Sequence, residues 1–246
     1  MRPVARFSLF HLLANVLLLW LGYYWLGVGE GRMTALLWSF AVALAIVAFA
    51  GFTYGAAFVF FSESNEERRV VPAYRTALRN LAPLTLALLA TLVVYYGLAR
   101  WAGYSLNPAS SLASYLTLKL RKPVSPQAVL RVFNSVLWVV RWVIVPVILI
   151  PPLANIASRG WAGWRVFGSR WFYWIAAPVA LLCAIWIPFR LLGWVPHVGS
   201  FGAEMASFIV RAVLAYLLFI AGWLALAFVT SAGKPRFTQP STVVSP

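Results

Sequence analysis

Long apolar runs broken by short polar or glycine-rich stretches set the pattern of this chain. Residues 7–26, 34–61, 81–99, 135–156, 171–192 and 207–230 are each long enough and apolar enough to cross a hydrocarbon core of about 30 Å, which takes about 20 helical residues. Such runs must be helical, because a bilayer offers no water to satisfy stray backbone groups. The expected fold is therefore all-α: one polytopic bundle over residues 1–230, followed by a disordered polar tail, 231–246.

The connections differ in kind. Gly27 and Gly31 bound a short turn after Tyr23, Tyr24 and Trp25, an aromatic belt of the sort found at membrane interfaces. Tyr95, Tyr96 and Trp101 form a second belt after the third run. Residues 62–80 are the most polar part of the body, and Glu66 and Glu67 are expected to pair locally with Arg68 and Arg69 on a short solvated helix. Residues 100–134 are long and basic. Leu112, Tyr115, Leu116 and Leu120 suit an amphipathic interfacial helix, and Ser125-Pro126 reads as a helix start. Pro146, Pro151 and Pro152 should kink or end the fourth run, and Pro178 and Pro188 should bend the fifth.

Composition agrees with the pattern. Hydrophobic residues make up 63% of the chain and charged residues 10%, too few to coat a soluble fold. The net charge of +15 lies in loops and at helix ends, where it meets anionic headgroups. With no polar domain to concentrate it, nucleic acid is not an expected partner. Six passes with a cytoplasmic N-terminus place eleven basic residues inside and nine outside, a thin positive-inside margin. A seventh crossing near residues 104–118 would widen it, but that stretch is short and carries Asn107, Pro108 and several serines. The preponderance of arginine over lysine fits a bacterial plasma membrane.

A few polar residues stand out against this background. Arg141 lies in the fourth run between Trp138 and Trp142, where a charge costs at least about 2.5 kcal/mol on insertion scales unless it snorkels or finds a partner. Arg190 and Arg211, at the ends of the last two spans, share its expected membrane side with Arg100 and Glu204. These five residues are a candidate site for an anionic lipid or ligand, with Glu204 the natural partner of Arg211. His11 and Asn15, four residues apart, form a polar stripe that should point into the bundle. Gly51 and Gly55 form a G-x-x-x-G that marks close helix packing.

Catalytic signatures are missing. The chain has no Asp, and none of its five acids lies in the middle of an apolar run, which disfavours classical ion coupling. No nucleophile–base set, phosphate loop or dinucleotide motif is present, and no metal site or cofactor is implied. The lone Cys183 allows no intramolecular disulfide. The leading expectation is a non-catalytic scaffold, assembly factor or subunit of a membrane complex, with anionic lipids and a protein subunit as partners. The alternatives are a transporter or channel subunit for a neutral or anionic solute, and a lipid-phosphate enzyme that lacks an evident base.

Overall fold

The computed structural model describes residues 3–29, 31–63, 68–165, 171–196 and 200–232. Described elements are helical throughout: α1 (Pro3–Leu26), α2 (Met33–Ser62), α3 (Val70–Arg79), α4 (Leu81–Gly103), α5 (Leu106–Leu120), α6 (Pro126–Val139), α7 (Val145–Arg159), α8 (Trp171–Gly193) and α9 (Phe201–Ala232). Six helical stretches among the described residues can cross a membrane by length and composition, with α6 and α7 fused into one of 39 residues from Pro126 to Trp164. The chain is an integral membrane protein built as an all-α bundle.

Six crossings put the N-terminus, α3 and the C-terminal end of α9 on one face, and the α5–α6 connection on the other. Leu and Trp side chains on the outer surfaces of α1, α4, α8 and α9 are widely exposed, as lipid-facing positions are. The buried core joins α2, α3, α4, α7, α8 and α9, with Phe7 of α1 completing it. Small residues allow the closest approaches. A Cβ on Gly55 would stand 2.6 Å from Leu84 Cδ2, and one on Gly51 would stand 3.0 Å from Leu88 Cδ1, so this pair packs on α4. A Cβ on Gly222 would lie 2.2 Å from Ala184 Cβ, so only glycine lets α8 and α9 meet there.

Several boundaries differ from those the sequence suggests. The fourth span is continuous with the helix that starts at Pro126, as Ser125-Pro126 allows, and the prolines do not end it: it continues through Pro151 and Pro152 to Arg159, and the helical stretch reaches Trp164. At 1.5 Å per residue its 39 residues measure about 58 Å. That is nearly twice the thickness of the hydrocarbon core, so α6 projects beyond it and pairs with α5. The hairpin has its own small core of Ala109, Ala113 and Val129. At 15 residues, α5 is too short to cross, which leaves six passes. The last span begins at Phe201, six residues before its expected start. The polar stretch 62–80 does hold a short helix, but Arg68 and Arg69 precede it. Arg69 N–H donates to Glu63 Oε2 at 3.4 Å, and Glu66 and Glu67 lie outside the described residues, as does the tail from 233.

Candidate functional site: an apolar cleft beside Arg141

The break in the fourth span builds the site. Residues Val140–Ile144 form a π turn, in which Val145 N–H bonds Val140 O instead of Arg141 O. The next position is Pro146, which has no N–H. The Arg141 carbonyl is thus stripped of both helical donors. Tyr95 of α4 supplies the replacement, its hydroxyl donating to Arg141 O at 2.9 Å. Pro151 creates the same need one turn later, since it cannot donate to Val147 O. Tyr173 of α8, fully buried, donates to that oxygen at 2.8 Å. Proline is tolerated in a membrane helix where neighbours re-satisfy the freed carbonyls.

Around this break, α4, α7, α8 and α9 enclose an apolar cleft of about 610 Å³. Leu88 and Thr91 form one wall, Leu149 and Leu153 another, and Pro188 and Ala212 stand opposite. Tyr95 and Trp142 also line it, as do Tyr216 and Trp223 of α9. Trp142 also borders a smaller pocket of about 190 Å³ with Asn134, Trp138 and Arg141. The Arg141 guanidinium carbon lies 5.9 Å from the Trp142 ring centroid. Its Nε is buried without a hydrogen-bond partner. Arg141 as a whole is half-buried, and a buried donor without an acceptor is costly, so an acceptor reaching this guanidinium would be stabilising.

The other members of the arginine set are disposed differently. Arg211 is buried and turned toward the end of α8. Its Nη1 donates to Leu192 O at 3.3 Å and also to Trp194 O, while Nε reaches Ser207 O at 3.2 Å. A cation there meets the orphan carbonyls and the negative end of the helix dipole. Among the described residues no ion pair joins it to Glu204, which is exposed in the first turn of α9, where a carboxylate suits the dipole. Arg190 is exposed and stacks on Trp186, with its guanidinium carbon 5.2 Å from the ring centroid. Arg100 is exposed near the end of α4. Of the five residues in the proposed cluster, Arg141 alone borders the small pocket next to the cleft.

A second polar group sits at the α1–α2 seam. Asn15 Nδ2 donates to His11 O at 2.8 Å, and the Tyr54 hydroxyl donates to Asn15 Oδ1 at 2.6 Å. The His11 ring is fully buried, stacked on Phe7 and edge-on to Tyr54. It approaches the Thr53 backbone, yet neither ring nitrogen completes a hydrogen bond, and Thr53 Oγ1 is also unmet. Tyr54 packs on Trp223, which lines the cleft.

Sequence reasoning read Tyr95 as part of an interfacial belt and did not single out Tyr54 or Tyr173. The prolines were the available signal: each one inside a span frees a carbonyl that some donor on another helix must meet. No family model, curated protein or solved structure matches the chain.

Proposed function

We propose that this protein is a non-catalytic membrane subunit that holds an anionic amphiphile, its chain in the α4–α7–α8–α9 cleft and its headgroup at Arg141. The observation that carries this reading is the junction at Trp142, where an apolar cleft adjoins a pocket lined by the Arg141 cation. A bilayer already solvates an acyl chain as well as a protein wall does, so selective retention must come from shape and headgroup. Arg141 supplies the charge in a setting of lowered dielectric, where a charge-assisted hydrogen bond is strong. Leu98, Ala102, Asn134 and Trp138 surround it, side chains that hold a ligand rather than transform it. With the N-terminus cytoplasmic, the headgroup would sit toward the outer leaflet. A transporter of polar solutes is supported by Pro146 and Pro188 at the cleft, but its wall offers such a solute few polar groups.

Native mass spectrometry of protein released from nanodiscs of mixed zwitterionic and anionic lipid tests the reading. Wild-type protein should retain a lipid and prefer the anionic one. Leu149→Trp combined with Ala212→Phe should empty the cleft, whereas Arg141→Gln should keep it filled but abolish the preference. Retention and preference unchanged in both variants would remove the proposal.

A further inference from the structure

On the opposite face, the one carrying the N-terminus, α1, α2 and α3 enclose a second cavity of about 980 Å³. Arg6, Arg68, Arg69 and Arg75 line it, together with Phe10, Phe52 and Tyr74 among others. The polar and apolar parts are separated by depth. Arg6 lies one turn into α1, and Arg68 and Arg69 stand just before α3, so these three cations lie at the starts of α1 and α3. Phe52 lies ten residues before the end of α2, about 15 Å down the helix at 1.5 Å per residue, and forms part of an apolar floor. Tyr74 stands between them, its ring packed on Phe7 and Phe52 and its hydroxyl buried with no hydrogen-bond partner.

We infer that this cavity is a binding site for the phosphate headgroup of an anionic phospholipid drawn from the adjacent leaflet, independent of the Arg141 cleft. These guanidinium groups match phosphate in charge and in donor geometry. The apolar floor suits the glycerol end of acyl chains and gives a freely soluble phosphate nothing to bury. Burial pushes the Tyr74 phenol up to about 12, so below that pH it stays a neutral donor to a phosphate oxygen. Not all the cations are equally free. Arg68 donates through Nε to Glu63 O at 3.3 Å and lies over the Phe60 and Phe61 rings, which makes it partly a packing residue. The Glu63 carboxylate accepts the Arg69 backbone N–H at 3.4 Å. Arg6, Arg69 and Arg75 therefore carry the test.

Wild-type protein in phosphatidylcholine nanodiscs should take up added phosphatidylglycerol, counted as retained lipid by native mass spectrometry. Arg6→Gln, Arg69→Gln and Arg75→Gln combined should weaken that uptake about a hundredfold, given the worth of each cation near an anionic surface. Tyr74→Phe, which keeps the ring, should weaken it several-fold, and the triple lysine replacement should retain most of it. Should the glutamine triple fail to fold, Arg75→Gln alone must still weaken uptake. Equal uptake by wild-type protein and the glutamine variants overturns the site. Tight binding of inorganic phosphate in phosphatidylcholine alone overturns the lipid assignment in favour of a soluble phosphate compound. In the Leu149→Trp and Ala212→Phe background, which removes the lipid of the cleft, the remaining uptake must still fall with the glutamine triple, which separates the two sites.

Discussion

At the break in the fourth span, the Arg141 and Val147 carbonyls lose their helical donors, and each meets a tyrosine hydroxyl from another helix. At the α1–α2 seam the polar groups are as deeply buried, yet both nitrogens of His11 and the hydroxyl of Thr53 go unmet. The first region is a repaired backbone, in which side chains complete hydrogen bonding that proline disrupts. The second leaves the His11 ring and the Thr53 hydroxyl unmet beside the completed Asn15–Tyr54 bond. Because an unmet buried polar group costs more than a met one gains, the two regions should respond oppositely to losing a polar group.

The largest effect is expected at Tyr173. Tyr173→Phe keeps the ring in the core and removes the hydroxyl that donates to Val147 O, leaving a buried carbonyl unsatisfied at a cost of about 1–3 kcal/mol. Unfolding in mixed detergent micelles measures it. The cause can be separated from packing by Pro151→Ala, which restores an N–H to the position that reaches Val147 O. In that background Tyr173→Phe should cost distinctly less. An identical cost in both backgrounds would mean that the hydroxyl does something other than replace the proline's missing donor.

A smaller loss is expected at Tyr95, which is half-buried and lines the cleft. Tyr95→Phe should destabilise by about 0.6 kcal/mol, the average for a hydrogen bond between membrane helices. The same change lets the π turn at Val140–Ile144 relax, so anionic-lipid retention at Arg141 should fall more than stability does. A drop in stability with retention intact would place Tyr95 in the scaffold alone.

The six spans and the packing glycines were legible because both follow from local sequence: apolar runs of membrane length, and small residues at helical spacing. His11 and Asn15 could be placed inside the bundle by their i, i+4 relation. What could not be read is where one helix completes another. Tyr95 and Tyr96 are adjacent and alike in sequence, but Tyr95 turns to Arg141 O while Tyr96 stays exposed. Arg211 was matched to Glu204 by periodicity along α9, whereas its partners are the carbonyls ending α8, a different helix. Arg6 and Arg75 carry no signal in the sequence beyond their charge, and Arg69 reads as a local partner of Glu66 and Glu67. Their convergence depends on α3 folding back over α1 and α2, which no periodicity within one segment reveals.

The smallest effect, and the one whose sign matters most, belongs to His11. Its ring occupies an aromatic slot between Phe7 and Tyr54, and neither nitrogen is hydrogen-bonded. Phenylalanine fits that slot by shape and removes two unmet polar atoms. His11→Phe should therefore leave stability within about 0.5 kcal/mol of wild type or raise it. The bond from the Tyr54 hydroxyl to Asn15 should survive, because Asn15 uses the backbone carbonyl of residue 11 and not its ring. A loss of more than about 1 kcal/mol would show that the imidazole is hydrogen-bonded in the membrane, through a buried water shared with Thr53. The seam would then be as fully satisfied as the proline break, and the contrast between the two regions would disappear.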